Sequence, residues 1–469
     1  MKSRFRYGRF LFLFIPWILS LLFAGAPLIS YLLAWSGSFL IFYLSMSGYI
    51  KPIPNDLTFA GQLMRPLFLI QIIFAGYMCS TSIFYFLNTY FNLEETLSSV
   101  NVRQLELVAQ CQRYYCLAHA ALVTGILFSM KYPIKHVYNL KYKDMPAFLR
   151  NMAFICILAA FLFNVIPGLS QFYYQVTSLG FIAGTLALAL AIPIKKPGNI
   201  ALCGALYLFN FYQALLTGFK EPIIINILVL GFFLYPFYKK VITLIFVPLL
   251  LLVFLLLPTY NRVFRERAWN GEESVEDASQ AAFLETTGDA HNESFERTNW
   301  EFLTERLSEI KMFTQYVRST PDMIDYYGLE IVKQSVTSII PRILWPEKPI
   351  TEDLAMERVY SAGVIDAGSN VSAKPAVVVD AYLSGGILGI LITFLIYGAL
   401  AQYISLKAEQ LFGSYLTGTA LIYSGLFQIL WRGLNFEFLV NSVFWSFITM
   451  WIIFAIFRLT KILSKANLG

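Results

Sequence analysis

Charge is what this 469-residue chain has least of: Asp, Glu, Lys and Arg make up 14% of it. A soluble protein of that length needs a far more polar surface, so a soluble globular class is excluded. Cysteine is scarce too. Cys79, Cys111, Cys116, Cys156 and Cys203 lie in or beside apolar runs with neither metal-ligand nor disulfide spacing, and read as small core residues. No motif for a cofactor or a metal is present. Carboxylates are missing from the centres of the apolar runs: Asp380 and Glu437 fall near the outer ends of theirs, and Glu221 in a tight outer turn. A proton- or sodium-coupled carrier uses intramembrane carboxylates, so their lack counts against that class. His119, six residues after Arg113, reads as a hydrogen-bonded packing residue. Residues 10–23 carry no clear small-residue cleavage site and read as a first membrane helix rather than a cleaved signal. No internal repeat is visible.

Apolar residues are abundant, at 57% of the chain with a mean hydropathy of +0.61. Runs at 10–24, 28–47, 66–90, 112–130, 147–166, 171–194, 199–218, 222–238, 241–258, 377–403, 411–430 and 437–457 predict an all-α integral membrane protein of about twelve transmembrane helices. With the N-terminus inside and the spans alternating, inner segments hold eighteen Lys and Arg and the short outer segments four. That imbalance predicts cytoplasmic N- and C-termini. Three regions follow: 1–258 with helices one to nine, 259–375 as one large extracytoplasmic, partly helical loop, and 376–469 with the last three helices and the cytoplasmic end. The loop has twenty acidic and twelve basic residues, the reverse of the basic remainder. Its 271–293 stretch is acidic and poor in bulky apolar groups, and reads as mobile. Apolar residues from Phe295 to Val317, spaced three or four apart, predict one amphipathic helix. Gly180 with Gly184, and Gly385 with Gly389, predict close helix packing.

Positive charge on the outer side is sparse but placed. Lys220 precedes Glu221 in Leu216-Thr-Gly-Phe-Lys-Glu-Pro222, and Arg432 stands in Leu430-Trp-Arg-Gly-Leu-Asn-Phe436. Arg262, Arg265 and Arg267 follow the ninth run. Ser338–Pro349 holds Pro341, Pro346 and Pro349, which forbid a continuous helix and present Arg342, Trp345, Glu347 and Lys348 in a stiff loop. Several cations at one surface suit an anion, and a guanidinium fork suits a diphosphate.

Three segments resemble the bacterial O-antigen polymerase family. Ile340-Pro-Arg-Ile-Leu-Trp-Pro-Glu-Lys-Pro349 is similar to a Pro-Arg, Trp-Pro, Lys-Pro pattern late in that family's large outer loop. Thr217-Gly-Phe-Lys220 resembles a Thr-Gly-Ser-Arg element, with lysine in place of arginine. Trp431-Arg-Gly433 resembles an Arg-Gly element, with Leu434 where an aspartate is common. The resemblance implies a glycosyltransferase-C-like bundle in the bacterial inner membrane with its large loop periplasmic. It implies a metal-independent, polyprenyl-diphosphate-dependent glycosyltransferase that polymerises undecaprenyl-diphosphate-linked oligosaccharides into O-antigen or exopolysaccharide. Arg342, Arg432, Lys220 and Glu221 are the catalytic candidates. Arg262, Arg265, Arg267, Trp345, Lys348 and Trp431 are the candidates for diphosphate or glycan binding. The implied partners are the lipid-linked oligosaccharide, the bilayer and a chain-length regulator protein, with no nucleic acid. An O-antigen-ligase-type transferase, a lipid-linked oligosaccharide flippase and a secretion scaffold are the alternatives.

Overall fold

The computed structural model describes residues 7–95, 99–166, 169, 172–268, 273–288, 293–341, 344–366 and 373–466. Seven helices are long and apolar enough to cross a membrane: Pro27–Met46, Pro66–Phe91, Met145–Val165, Tyr173–Ala191, Lys239–Ala268, Val377–Phe412 and Phe436–Leu459. The chain is an all-α, multi-pass membrane protein.

The expected count of about twelve is therefore corrected to seven among the described residues. All twelve apolar runs contain helix, but five fall short of a span. Ile15–Leu22 has 8 residues and Lys220–Leu234 has 15. Ser99–Ser129 is long, but Arg103, Glu106, Gln110, Gln112, Arg113 and His119 dilute its apolar character. Pro197–Leu215 carries Asn199, Asn210 and Gln213. The 411–430 run breaks into short helical pieces around a π-helical turn, Gly418–Tyr423.

Two of the long helices form the centre. Ser99–Ser129 and Val377–Phe412 cross so closely that a Cβ on Gly125 would lie 2.2 Å from the Leu395 carbonyl oxygen, and one on Gly398 2.1 Å from that of Leu122. Small residues let apolar helices approach where lipid gives them no hydrophobic incentive to associate. Gly180 and Gly184 serve the same purpose against Cys156 and Leu206. Gly385 and Gly389 do not. The Val377–Phe412 helix breaks at Gly385–Gly386, and Gly389 faces the carbonyl of Ala381 across the break.

The ends of the bundle differ. At one end, strands Tyr138–Leu140 and Leu463–Lys465 pair antiparallel. Beside them a buried Arg65 joins Asp56, Gln62 and Glu409 and lies 4.1 Å from the Tyr132 ring. The opposite end gathers 216–221, 302–341, 344–361 and 428–437. There Arg358, on Thr351–Ser361, reaches Glu437 at 2.8 and 3.0 Å and Asp380 at 3.3 Å, with all three side chains almost fully buried. Asp380 accepts from the Phe436 amide at 2.8 Å, and Asn435 donates to Glu437 at 3.1 Å. This triad fastens an extramembrane helix to the first turns of the last two spans, directly behind the turn that holds Arg432.

Within the 271–293 segment expected to be mobile, Val275–Thr287 is helical, while 271–272 and 289–292 lie outside the described residues. Ser274 caps it by accepting from the Asp277 amide at 3.1 Å, with Glu276 and Asp277 complementing the helix dipole. Ala278 and Ala282 pack beside Tyr260 and Phe264. The single amphipathic helix expected over 294–318 is also corrected. Glu293–Glu301 runs into a π-helical turn, Phe302–Leu307, and Ile310–Ser319 starts anew after an extended Ser308.

Candidate functional site

The site begins with two tight turns that need glycine. Gly218 has φ +65°, and a Cβ there would meet the Phe264 ring at 2.7 Å. The chain turns through it, and Phe219 becomes the N-cap of Lys220–Leu234, with Glu221 in the first turn where the helix dipole favours a carboxylate. Gly433, at φ +72°, ends the short Ile429–Arg432 helix and gives its carbonyl to the Val377 amide at 2.9 Å. Arg432 is thus the last residue of a turn locked to a membrane helix.

These two turns meet. Arg432 donates from Nε to Glu221 Oε1 at 2.6 Å and from Nη2 to Oε2 at 2.8 Å, a two-point fork on a half-buried carboxylate. Burial works against the Arg432 charge, and Glu221 more than offsets it, so the guanidinium is held above its ordinary range. Lys220, one residue away, sets its Nζ 5.4 Å from the Tyr77 ring and 5.3 Å from the Phe302 ring. Both rings come from π-helical turns, Phe74–Cys79 and Phe302–Leu307. Such turns re-aim side chains and concentrate at functional positions. Arg265 closes the group by donating from Nε to the Gly218 carbonyl at 2.9 Å.

A residue that the sequence did not single out completes it. Glu309 sits where the amphipathic segment is interrupted, and its Oε2 is buried with no hydrogen-bond partner among the described residues. Burial pushes its carboxyl above the usual carboxylate range, Lys220 draws it back down, and Glu221 pushes it up again. A carboxyl with a buried, unsatisfied oxygen beside a cation is a group poised to exchange a proton.

The other expected residues lie elsewhere or are otherwise engaged. Arg262 faces Glu285 at 3.8 Å and Arg267 faces Glu273 at 2.9 Å, both acids of the adjoining segment. Trp431 is buried in the core, with its indole N–H unpartnered among the described residues. Lys348 caps the end of Glu330–Ser338, donating to the carbonyls of Ser338 at 2.6 Å and Ile340 at 3.0 Å. Trp345 is partly exposed in the same proline-rich stretch. That stretch is pinned to the last span by Trp445 Nε1 donating to the Ile339 carbonyl at 3.2 Å. Arg342 lies outside the described residues. Four expected residues, Lys220, Glu221, Arg265 and Arg432, therefore come together, and Glu309 joins them.

A family model described as a domain of unknown function (DUF8712) matches residues 15–465, and the chain belongs to that family. No curated protein and no solved structure matches it.

Proposed function

We propose that this DUF8712 member is a membrane glycosyltransferase that polymerises undecaprenyl-diphosphate-linked oligosaccharide repeat units, with a glycosyltransferase-C-like bundle in the bacterial inner membrane and this end of it facing the periplasm. One observation carries the reading. Arg432 reaches across 211 positions to fork onto Glu221, the residue next to Lys220, and a second, buried carboxyl, Glu309, feels the charges of both Lys220 and Glu221. Fixed cations in a partly dehydrated site do for a departing diphosphate what bulk water does poorly.

In the proposed reaction the terminal hydroxyl of the acceptor glycan attacks the anomeric carbon of the donor. Its proton passes to Glu309, a new glycosidic C–O bond forms, and the bond from the anomeric carbon to the diphosphate oxygen breaks. The bonding electrons leave with the lipid diphosphate, whose charge Arg432 and Lys220 stabilise; Arg342 keeps the same role on the sequence pattern. Glu221, occupied at both oxygens by Arg432, acts as its holder rather than as the base.

The reading is tested by product analysis in a strain lacking the gene. A polymerase leaves single repeat units on the carrier and on surface glycan, and restoring the gene restores the ladder of chain lengths. A ligase would leave chain length intact and the polymer unattached. A flippase would strand repeat units on the cytoplasmic face, and either pattern contradicts the proposal.

Glu309 carries its own expectation. A base whose carboxyl is raised by burial is protonated at pH values where an ordinary glutamate, near 4.5, is ionised. Polymerisation should therefore rise with pH along a limb lying above that value. Glu309→Gln should lose activity and the limb together. Stability sets this apart from misfolding. A carboxyl with a raised folded-state pKa binds more protons folded than unfolded, so its ionisation lowers stability as pH rises. Glu309→Gln should consequently be at least as stable as wild type at neutral pH. An unchanged pH profile in the variant would remove Glu309 from the mechanism.

A further inference from the structure

Beyond the cationic group, the two elements whose rings flank Lys220 run on to form a cavity of about 390 Å³ lined by Asn88, Trp300, Glu301, Thr304 and Glu305. From it we infer a subsite for the glycan portion of the lipid-linked substrate, an inference that rests on the proposed function for the identity of the sugar carrier. The size falls within the range of pockets for small ligands, about 300–1,000 Å³. Asn88 lies eleven residues beyond Tyr77 on Pro66–Phe91, or about 16 Å along the helix axis toward its Phe91 end. The strand-bearing end is the other way, since Arg65 precedes Pro66. A diphosphate held at Lys220 and Arg432 is thus recessed, and the sugars it carries extend toward this cavity.

Its lining fits a carbohydrate. Trp300 is half exposed, and its indole Nε1 donates to Asn88 Oδ1 at 3.2 Å, which fixes the ring as a platform. A sugar's C–H face packs on such a ring, while its hydroxyls need acceptors nearby. Glu301 and Glu305 supply them. One oxygen of Glu301 takes Arg297 Nε at 2.9 Å, and one of Glu305 pairs with Lys311. Among the described residues no donor engages their second oxygens. Thr304, its hydroxyl turned back to the Trp300 carbonyl at 2.8 Å, closes the floor. A tryptophan anchored at a lipid interface would stand among apolar neighbours; this one stands among two carboxylates, an amide and a threonine.

The test uses full-length protein in detergent and two probes: lipid-free repeat-unit oligosaccharide from the polysaccharide of the host strain, and undecaprenyl diphosphate bearing no sugar. Trp300→Ala should weaken oligosaccharide binding about tenfold, Trp300→Phe should retain most of it, and the Glu301→Gln, Glu305→Gln double variant should weaken it as well. None should alter binding of undecaprenyl diphosphate. Oligosaccharide binding that is absent in wild type, or unchanged in Trp300→Ala and in the double variant, overturns the subsite and leaves the diphosphate site standing. Oligosaccharide binding that depends on Trp300 in a protein with no affinity for undecaprenyl diphosphate supports the subsite and overturns the proposed function.

Discussion

Arg432→Ala is expected to lower the rate of chain extension by about 10²–10³ while the protein is made and folded at wild-type levels. The side chain is part-exposed and its backbone turn is held by Gly433 and Val377, so truncation leaves the local fold in place. What disappears is a fork aimed at an anion. Glu221 is then left unopposed beside Lys220, and a departing diphosphate meets one cation fewer and one bare carboxylate more. Arg432→Lys should recover only part of the loss, because an ammonium is a point charge without the planar fork. The Arg432→Ala, Glu221→Gln double variant separates the possibilities. If Arg432 merely pairs with Glu221, removing both charges restores activity. If it binds diphosphate, the double variant is as impaired as the single one.

The second large effect concerns stability. Arg358→Met leaves Asp380 and Glu437 as two buried carboxylates with no counter-charge, and breaking such a group from one side costs about 3–5 kcal/mol. The midpoint of thermal unfolding in detergent should fall sharply. Replacing all three, Arg358→Met with Asp380→Asn and Glu437→Gln, should recover much of the loss, because no ion is then left uncompensated. The turn bearing Arg432 lies against this triad through Asn435 and Phe436, so the single variant should also lose activity. An unfolding midpoint equal to wild type would mean that the triad does not fasten the Thr351–Ser361 helix.

Helices were easier to read from the sequence than spans. Each apolar run is helical, since unbroken apolar stretches have little else to become, but runs near the limiting length hide differences that only folding resolves. The 411–430 run looks like a span and is instead chopped around Gly418–Tyr423, where Thr419 reaches Glu409 at 2.7 Å. Arg65, Arg358 and Glu409 are buried, and the pairings Arg65–Glu409, 344 residues apart, and Arg358–Glu437, 79 apart, are ones no local pattern encodes. Lys220 and Arg432 were legible because each stood out as a cation in a short outer turn beside a glycine. Glu309 was not. It is one acid among twenty in the 259–375 segment, and the helical spacing around it concealed the break that orients it. Arg262 and Arg267 looked like site residues only until the acids of 273–285 folded back onto them.

The most direct measurement is the affinity of the purified full-length protein for undecaprenyl diphosphate set against undecaprenyl monophosphate, in wild type, Lys220→Ala and Arg432→Ala. Wild type is expected to prefer the diphosphate, and each substitution to weaken its binding and narrow the preference. Equal affinity for the two lipids in wild type, or diphosphate binding unchanged by both substitutions, would contradict the proposed site.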